Sequence, residues 1–297
     1  MNTLKIVTHN GNFHSDDVFA VAILQIALGG EAQIEVVRTR DEAQFANADF
    51  LVDIGGEYDE SKNRFDHHQT GGAGARQNGI PFASAGLVWK KYGEQICGSR
   101  EVADAVDEKL ILPIDANDNG VNIYSSNEDG FLPYTIQDIM HVFRVSWKET
   151  GESNDERFFE MVPLAKKILE RQVIAIRDSK EAEALVEKDY ALAEDKRLVV
   201  LSGKYPWFDV LMSHPEPLFV VFYEPVNDFW KVNAVCDGSQ VFKNRKNFPA
   251  SWGGKRDKEL ADVTGVEDSL FCHSKLFLAV AKSKEGAIAL AKIALEN

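Results

Sequence analysis

In the first 120 residues, short apolar runs of strand length alternate with helix-like segments, and this alternation most restricts what the chain can fold into. Segments 4–8, 34–39, 50–54 and 64–66 read as strands. Between and after them, 18–28, 41–48, 85–92 and 102–112 read as helices, the first N-capped by Ser15 or Asp16 and stopped by Gly29-Gly30. Such alternation predicts an α/β fold whose mostly parallel sheet is covered on both faces. Sites in such sheets lie beyond the carboxyl ends of the strands. His9, Asp53 and Asp66-His67-His68 all fall at or just past predicted strand ends.

Further along, 157–187 has no glycine and one early proline, and is rich in Ala, Leu, Ile, Glu and Lys. It predicts a long connecting helix. Segments 198–201, 218–223, 229–235 and 276–281 are strand-like, and a helix follows at 284–295. The expected organisation is therefore an N-terminal α/β domain over 1–145, a helical connector over 146–188, and a smaller α/β domain over 189–297. A chain of 297 residues has room for this division.

Composition narrows the partners. No apolar run approaches the roughly 20 residues that span a bilayer, so a membrane is not an expected partner. The start of the chain has neither a basic, hydrophobic leader nor an Arg/Ser-rich transit segment, from which a cytoplasmic location is expected. Cys97, Cys236 and Cys272 are odd in number and widely spaced, which gives neither a disulfide framework nor a thiolate zinc pattern. The net charge of −14 argues against broad coating of nucleic acid but leaves room for a local phosphate site.

Four islands carry metal-competent side chains. The first holds His9, His14, Asp16 and Asp17, where the two aspartates could equally serve a helix N-terminus. The second is Asp53, which a turn would also accommodate. The third is Asp66-His67-His68; neighbouring strand residues face opposite ways, so a loop is needed for both histidines to face one site. The fourth, Asp115-Ala116-Asn117-Asp118-Asn119-Gly120, could be a turn at a helix end or one more ligand source. Imidazole with carboxylate suits Mn²⁺, Fe²⁺, Co²⁺ or Zn²⁺ better than Mg²⁺. At least six potential ligands exceed the needs of one structural ion and fit a pair of metals bridged by a carboxylate.

A basic island lies in the second half. Lys243, Arg245, Lys246, Lys255, Arg256 and Lys258 are opposed only by Asp257, with Phe248 and Trp252 interleaved. Such a segment could grip phosphate and stack on a base, or be a solvated loop anchored by one tryptophan.

In their order, H…H-x-D-D, V-D-I-G, D-H-H-Q and D-A-x-D-N-G, the islands resemble the Myg family, named for a melanocyte proliferating gene and related to the DHH phosphoesterases. The likeness extends to Ala83-Ser84-Ala85-Gly86-Leu87-Val88-Trp89, Phe248-Pro249-Ala250-Ser251-Trp252 and Phe271-Cys272-His273. It implies a DHH-like catalytic domain over 1–145 and a substrate-binding domain over 189–297. It implies metal ligands at His9, His14, Asp16, Asp53, His67 and Asp115, with Asp118 as the alternative to Asp115. It implies two Mn²⁺ ions, with Mg²⁺, Co²⁺ or Zn²⁺ as alternatives. His68 becomes the side chain nearest substrate and Asp66 its orienting carboxylate. Arg245, Trp252, Lys255, Arg256 and His273 become the substrate contacts. The chain departs from the family pattern at Lys255, where a leucine is expected, and over Ser274-Lys275-Leu276-Phe277, where a glycine is expected.

The activity implied is metal-dependent phosphoester hydrolysis, as a 3′–5′ exonuclease on RNA or short oligonucleotides. A small-molecule phosphohydrolase acting on pyrophosphate or nucleotides is the second expectation. A metal-dependent protein hydrolase is a third and weaker one, since the chain has no H-E-x-x-H helix.

Overall fold

The computed structural model describes residues 3–125, 130–238 and 243–297. The chain divides into two compact units, Met1–Arg177 and Asp178–Asn297. The first contains β1 (Thr3–Thr8), α1 (Ser15–Leu28), β2 (Gln33–Arg38), a 3₁₀ turn (Glu42–Asn47), β3 (Phe50–Val52), β4 (Tyr58–Asp59) and β5 (Arg64–Phe65). Four helices follow: α2 (Ser84–Cys97), α3 (Arg100–Val106), α4 (Leu112–Asp118) and α5 (Ile136–Val142), and then the start of α6 (Asn154–Leu192). The sheet order is β2-β1-β3-β5-β4. Every neighbouring pair is parallel except β4 with β5.

Alternation along the strands sets the two faces. Ile6 of β1 joins the main core with α1 and α2, whereas its neighbour Val7 packs with Ala48, Leu51 and Ile54 on the other side. That second face is covered by the 3₁₀ turn and its Phe45 rather than by a full helix, because the segment from β2 to β3 is too short for one. Helix α1 lies wholly inside: Val18 through Leu24 are all at zero exposure. A helix apolar on every side must be buried, and here the sheet and α2 bury it. Helix α2 ends on Gly98 at φ +76°, a left-handed C-cap that glycine adopts without strain.

Helix α6 runs through most of the stretch 146–188, expected as a helical connector. Phe158, Met161, Val162, Ala165, Leu169, Val173 and Ile176 recur at helical spacing on α6 and complete the core of the first unit. Val186 of the same helix belongs to a core of the second unit.

The second unit continues with β6 (Leu198–Val200), α7 (Phe208–Ser213), β7 (Phe219–Glu224), β8 (Phe229–Ala234), α8 (Asp257–Thr264), β9 (Ser269–Cys272), β10 (Leu278–Ala281) and α9 (Lys284–Glu296). Its sheet has the order β6-β7-β8-β10-β9, parallel only between β6 and β7. Phe219 and Val221 of β7 enter the core under α9, and Val220 and Phe222 enter the one under α7. Helix α9 contributes Ala287, Leu290, Ala291 and Ala294, a single face at i, i+3, i+4, i+7. Among the described residues no helix is long and apolar enough to cross a membrane.

Trp252 corrects an expectation. It is 2% exposed, lies in the core under α9, and stacks on Phe248 with ring centroids 5.8 Å apart. It is packing, not a platform for a base. Trp252→Ala is therefore expected to lower stability by about 3–5 kcal/mol, read as a fall in the urea midpoint at unchanged slope. A substitution that left the midpoint in place would contradict this burial.

Candidate metal centre

The register of the first sheet builds the site. Thr8 of β1 is level with Val52 of β3, and Val52 with Phe65 of β5. The next residue in each chain, His9, Asp53 and Asp66, therefore emerges at the same height from three adjacent parallel strands. Asp53 then turns at φ +55°, a left-handed conformation that aspartate tolerates better than most residues. Gly55 (φ +103°) and Gly56 (φ +66°) complete the turn. Asp66 fastens it: its Oδ2 accepts the Gly56 N–H at 2.6 Å, and its Oδ1 accepts from His68 N at 3.1 Å and pairs with His68 Nδ1 at 2.7 Å.

Strand β5 ends at Phe65, so residues 66–68 leave the alternating pattern, and both histidine rings reach Asp53. Their centroids are 4.3 Å apart. His67 Nε2 lies 3.4 Å from Asp53 Oδ1 and 3.1 Å from Asp118 Oδ2. His68 is the accessible one, its side chain 61% exposed.

The opposite wall comes from α1. His14 is its N-cap, and Asp17 Oδ1 accepts the His14 N–H at 2.8 Å. Asp17 Oδ2 and Asp53 Oδ2 stand 3.3 and 3.1 Å from His9 Nε2. Asp16 is held by the N-terminus of α2, accepting from Ser84 N at 3.0 Å and Ala85 N at 2.6 Å. A helix N-terminus favours such a buried anion.

Helix α4 corrects two further expectations. The D-A-N-D-N-G segment begins inside a helix that Pro113 opens in its first turn, not in a turn that follows one. Asp115 Oδ1 accepts the Gly86 N–H at 2.9 Å, and its Oδ2 pairs with Arg76 Nη1 at 2.7 Å. Both oxygens are committed away from the other candidates. Asp118, one turn further, carries the carboxylate that reaches His67 and approaches His14 Nδ1 at 3.8 Å. Three overlapping groups could each hold a cation: His9 with His14 and Asp53, Asp53 with His67 and His68, and Asp16 with His67 and Asp118.

Charge is strongly coupled here. Burial, joined by Asp118, Asp53 and Asp115, pushes Asp16 well above the usual carboxylate range. Burial likewise pushes Asp17 up to about 7. Burial opposes the charge of Asp53, but His67 and His9 hold it below its usual value. Burial also disfavours a charged His67, and Asp118 and Asp53 overcome it, raising His67 to about 11. His67 Nε2 and Asp17 Oδ2 are nevertheless buried without a well-formed hydrogen bond. Carboxylates and imidazole nitrogens so crowded and so poorly bonded to one another fit a divalent cation. Around them lies a cleft of about 710 Å³ lined by residues of this first unit, among them Asn10, Asn12, Arg40 and Gly55.

The remaining candidates are in the second unit. Arg245 donates to the carbonyls of Leu211, Met212, His214 and Pro217, closing the end of α7; it is not free for substrate. Lys246 similarly caps Leu295 at the end of α9. Arg256 is exposed and lies over the Phe271 ring at 4.4 Å, Lys255 is half-buried, and His273 packs beside Phe277 with Nδ1 accepting from Lys275 N. Sequence reasoning missed Arg40 and Arg38. The signal available was R-T-R at the end of β2, level with His9 across the sheet.

Fold and site together define an α/β protein with a carboxylate–histidine cluster able to hold a divalent cation at the carboxyl edge of a parallel sheet. The model of the MYG1 exonuclease family, described as "Uncharacterised protein family (UPF0160)", matches residues 5–295, and the chain belongs to that family. The MYG1 protein of Caenorhabditis elegans is 31% identical over 326 aligned positions, covering 99% of this chain and 96% of its own. The MYG1 exonuclease of Homo sapiens is 30% identical over 324, covering 98% of this chain and 85% of its own. Among solved structures, RecJ from Thermus thermophilus in complex with Mn²⁺ aligns with 99% of this chain at 12% identity and a TM-score of 0.29. The aligned part is 52% of that RecJ chain, so this chain spans about half of its length. At that score the likeness defines neither substrate nor metal here.

Two substitutions separate the aspartates of α4. Asp115→Asn breaks a buried pair with Arg76 and should cost about 3–5 kcal/mol. Asp118→Asn relieves carboxylate crowding, so the metal-free protein should keep or gain stability while losing the rise in melting temperature that Mn²⁺ confers. Thermal unfolding with and without Mn²⁺ reads both, and a full Mn²⁺ response in Asp118→Asn would reverse the assignment.

Proposed function

We propose that this chain is a metal-dependent phosphodiesterase that removes nucleotides from RNA or short oligonucleotides as a 3′–5′ exonuclease. The observation that carries the chemistry is the sharing of Asp53 between two ligand groups, with His9 on one side and His67 on the other. A carboxylate so placed suits a pair of divalent ions, which supply an activated water and neutralise charge on a phosphoryl group. The ligand set we assign is His9, His14, Asp16, Asp53, His67 and Asp118. The mixed nitrogen and oxygen donors favour Mn²⁺ over Mg²⁺. The exonuclease reading draws on the name of the human relative.

The remaining residues hold and orient. Asp17 pins His14 and Val18 through their N–H groups and faces His9, fixing the start of α1 against the site. Asp66 accepts from His68 Nδ1, and this bond, first among several influences, raises the histidine above its ordinary value. When protonated, His68 presents its Nε2–H on the open side of the cleft, where it can be given to a phosphoryl oxygen. The Asn10, Gly11 and Asn12 loop forms the facing rim.

A cleft of limited volume in an acidic chain also suits a small phosphate compound, and a substrate panel separates the two readings. End-labelled RNA and DNA, a dinucleotide, pyrophosphate and a peptide are each incubated with Mn²⁺, Mg²⁺ or Zn²⁺. Stepwise shortening of RNA with Mn²⁺ is expected. Asp53→Asn should lose more than the roughly 10–100-fold typical of outer partners of a metal site. Turnover of pyrophosphate alone would establish the small-molecule reading. Cleavage of the peptide alone, or undiminished activity in Asp53→Asn, would sink both.

A further inference from the structure

We propose that Arg40, the one arginine or lysine lining this cleft, is the side chain that receives a substrate phosphate there; this rests on the phosphodiesterase reading above. Arg38, the last residue of β2, and Arg40, two residues beyond it, are in opposite situations. Arg38 is consumed by structure: its guanidinium donates to the carbonyls of Gly11 and Asn154 and to Asp155 Oδ1 at 2.5 Å, and it sits over the Phe158 ring. Arg40 is exposed, and no carboxylate among the described residues forms an ion pair with it. Of the cleft's lining residues it alone is an arginine or lysine.

Its one described contact is Nη2 to His9 Nδ1 at 3.3 Å. That same Nδ1 is 3.2 Å from the Asn10 carbonyl. The two contacts exclude each other. Donation by Arg40 requires a bare Nδ1, and acceptance by Asn10 requires a protonated one. His9 Nε2 is the atom turned toward Asp53 and Asp17. Arg40 stands one imidazole ring from the atoms that face Asp53 and Asp17, and the His9 contact engages at most one N–H of its planar fork of donors. A fork of that kind matches two oxygens of one phosphate.

With one such contact, the cleft fits a substrate gripped at one phosphate beyond the reacting one. That describes the end of a single strand rather than the middle of a long polyanion. The net charge of −14 points the same way.

Binding of a five-nucleotide RNA with phosphorothioate linkages is measured on the Mn²⁺-loaded 297-residue chain across a salt series, and Mn²⁺ alone is titrated into metal-free protein. Arg40→Gln should weaken RNA binding by roughly 10- to 100-fold, the range for hydrogen bonds to charged groups. It should make the slope of log affinity against log salt shallower by about 0.7, one phosphate of a single strand. Mn²⁺ binding should stay as in wild type. Arg40→Lys should restore the slope without restoring the full affinity, since a point charge replaces the fork.

Unchanged RNA affinity in Arg40→Gln, with wild type binding RNA, overturns the Arg40 assignment and leaves the phosphodiesterase reading standing. An equal loss of Mn²⁺ binding shows that Arg40 only props His9, which also overturns it. Failure of the wild type to bind the RNA overturns this proposal together with the nucleic-acid reading on which it rests.

Discussion

The N-terminus of α2 is the constraint on which the rest of the first unit depends. Its first three residues give their N–H groups to two buried carboxylates, Ser84 and Ala85 to Asp16, and Gly86 to Asp115. Those aspartates come from α1 and α4, so one helix end ties three helices together. Unpaired, each buried carboxylate would cost several kcal/mol. Arg76 completes the arrangement by bridging Asp115 and Asp107. The approach leaves no room for a side chain at Gly86, where a Cβ would stand 1.8 Å from Asp115 Oδ2. Glycine is required there by proximity and not by backbone conformation.

This tie determines what the other carboxylates can do. Asp115 has Gly86 on one oxygen and Arg76 on the other, which offset part of the burial that pushes it up to about 7. Asp118 is three residues away on the same helix, and among the described residues its ion-pair partners are His14 and His67. Asp53 is in the same position, with His9 on one side and His67 on the other. One part of the cluster thus has an arginine and backbone N–H groups opposite its carboxylates and holds the fold together. The other part is incomplete, and its imbalance is what makes it fit a cation. Function and stability draw on aspartates one helical turn apart.

Much of this fold was legible because strong periodicity leaves few alternatives. The apolar runs that became β1, β3, β7 and β8 and the helices α1, α6 and α9 were recovered with small shifts at their ends. The two-residue strand β4 and the four-residue β9 carry too little pattern to be seen. In sequence the Asp-Ala-Asn-Asp-Asn-Gly segment is compatible with a turn, because Asp, Asn and Gly are turn formers, yet the chain enters α4 already coiled through a π turn at Asp107–Ile111. In that helix Asp115 and Asp118 lie one turn apart, the first at Gly86 and Arg76 and the second at His67. The basic island shows the opposite error. Charge and aromaticity in a loop resemble a nucleic-acid surface, but the aromatics Phe248 and Trp252 are core, and Arg245 satisfies the carbonyls at the end of α7. Sequence spacing does not distinguish an arginine that caps a helix from one that awaits an anion.

The site's geometry follows from strand register more than from any one motif. Thr8, Val52 and Phe65 are level across β1, β3 and β5, and the polar residue that follows each is delivered to the same edge. A slip of one residue in any of these pairings would turn alternate side chains to the other face. It would take Ile6 or Val52 out of the main core as it displaced His9 or Asp53 from the cluster. The apolar burial that fixes the register therefore also fixes the ligand positions, and no separate device is needed to align them. Only the two histidines need a local one. The loop that Asp66 fastens to Gly56 lets His67 and His68 face Asp53 together, something no continuous strand could do.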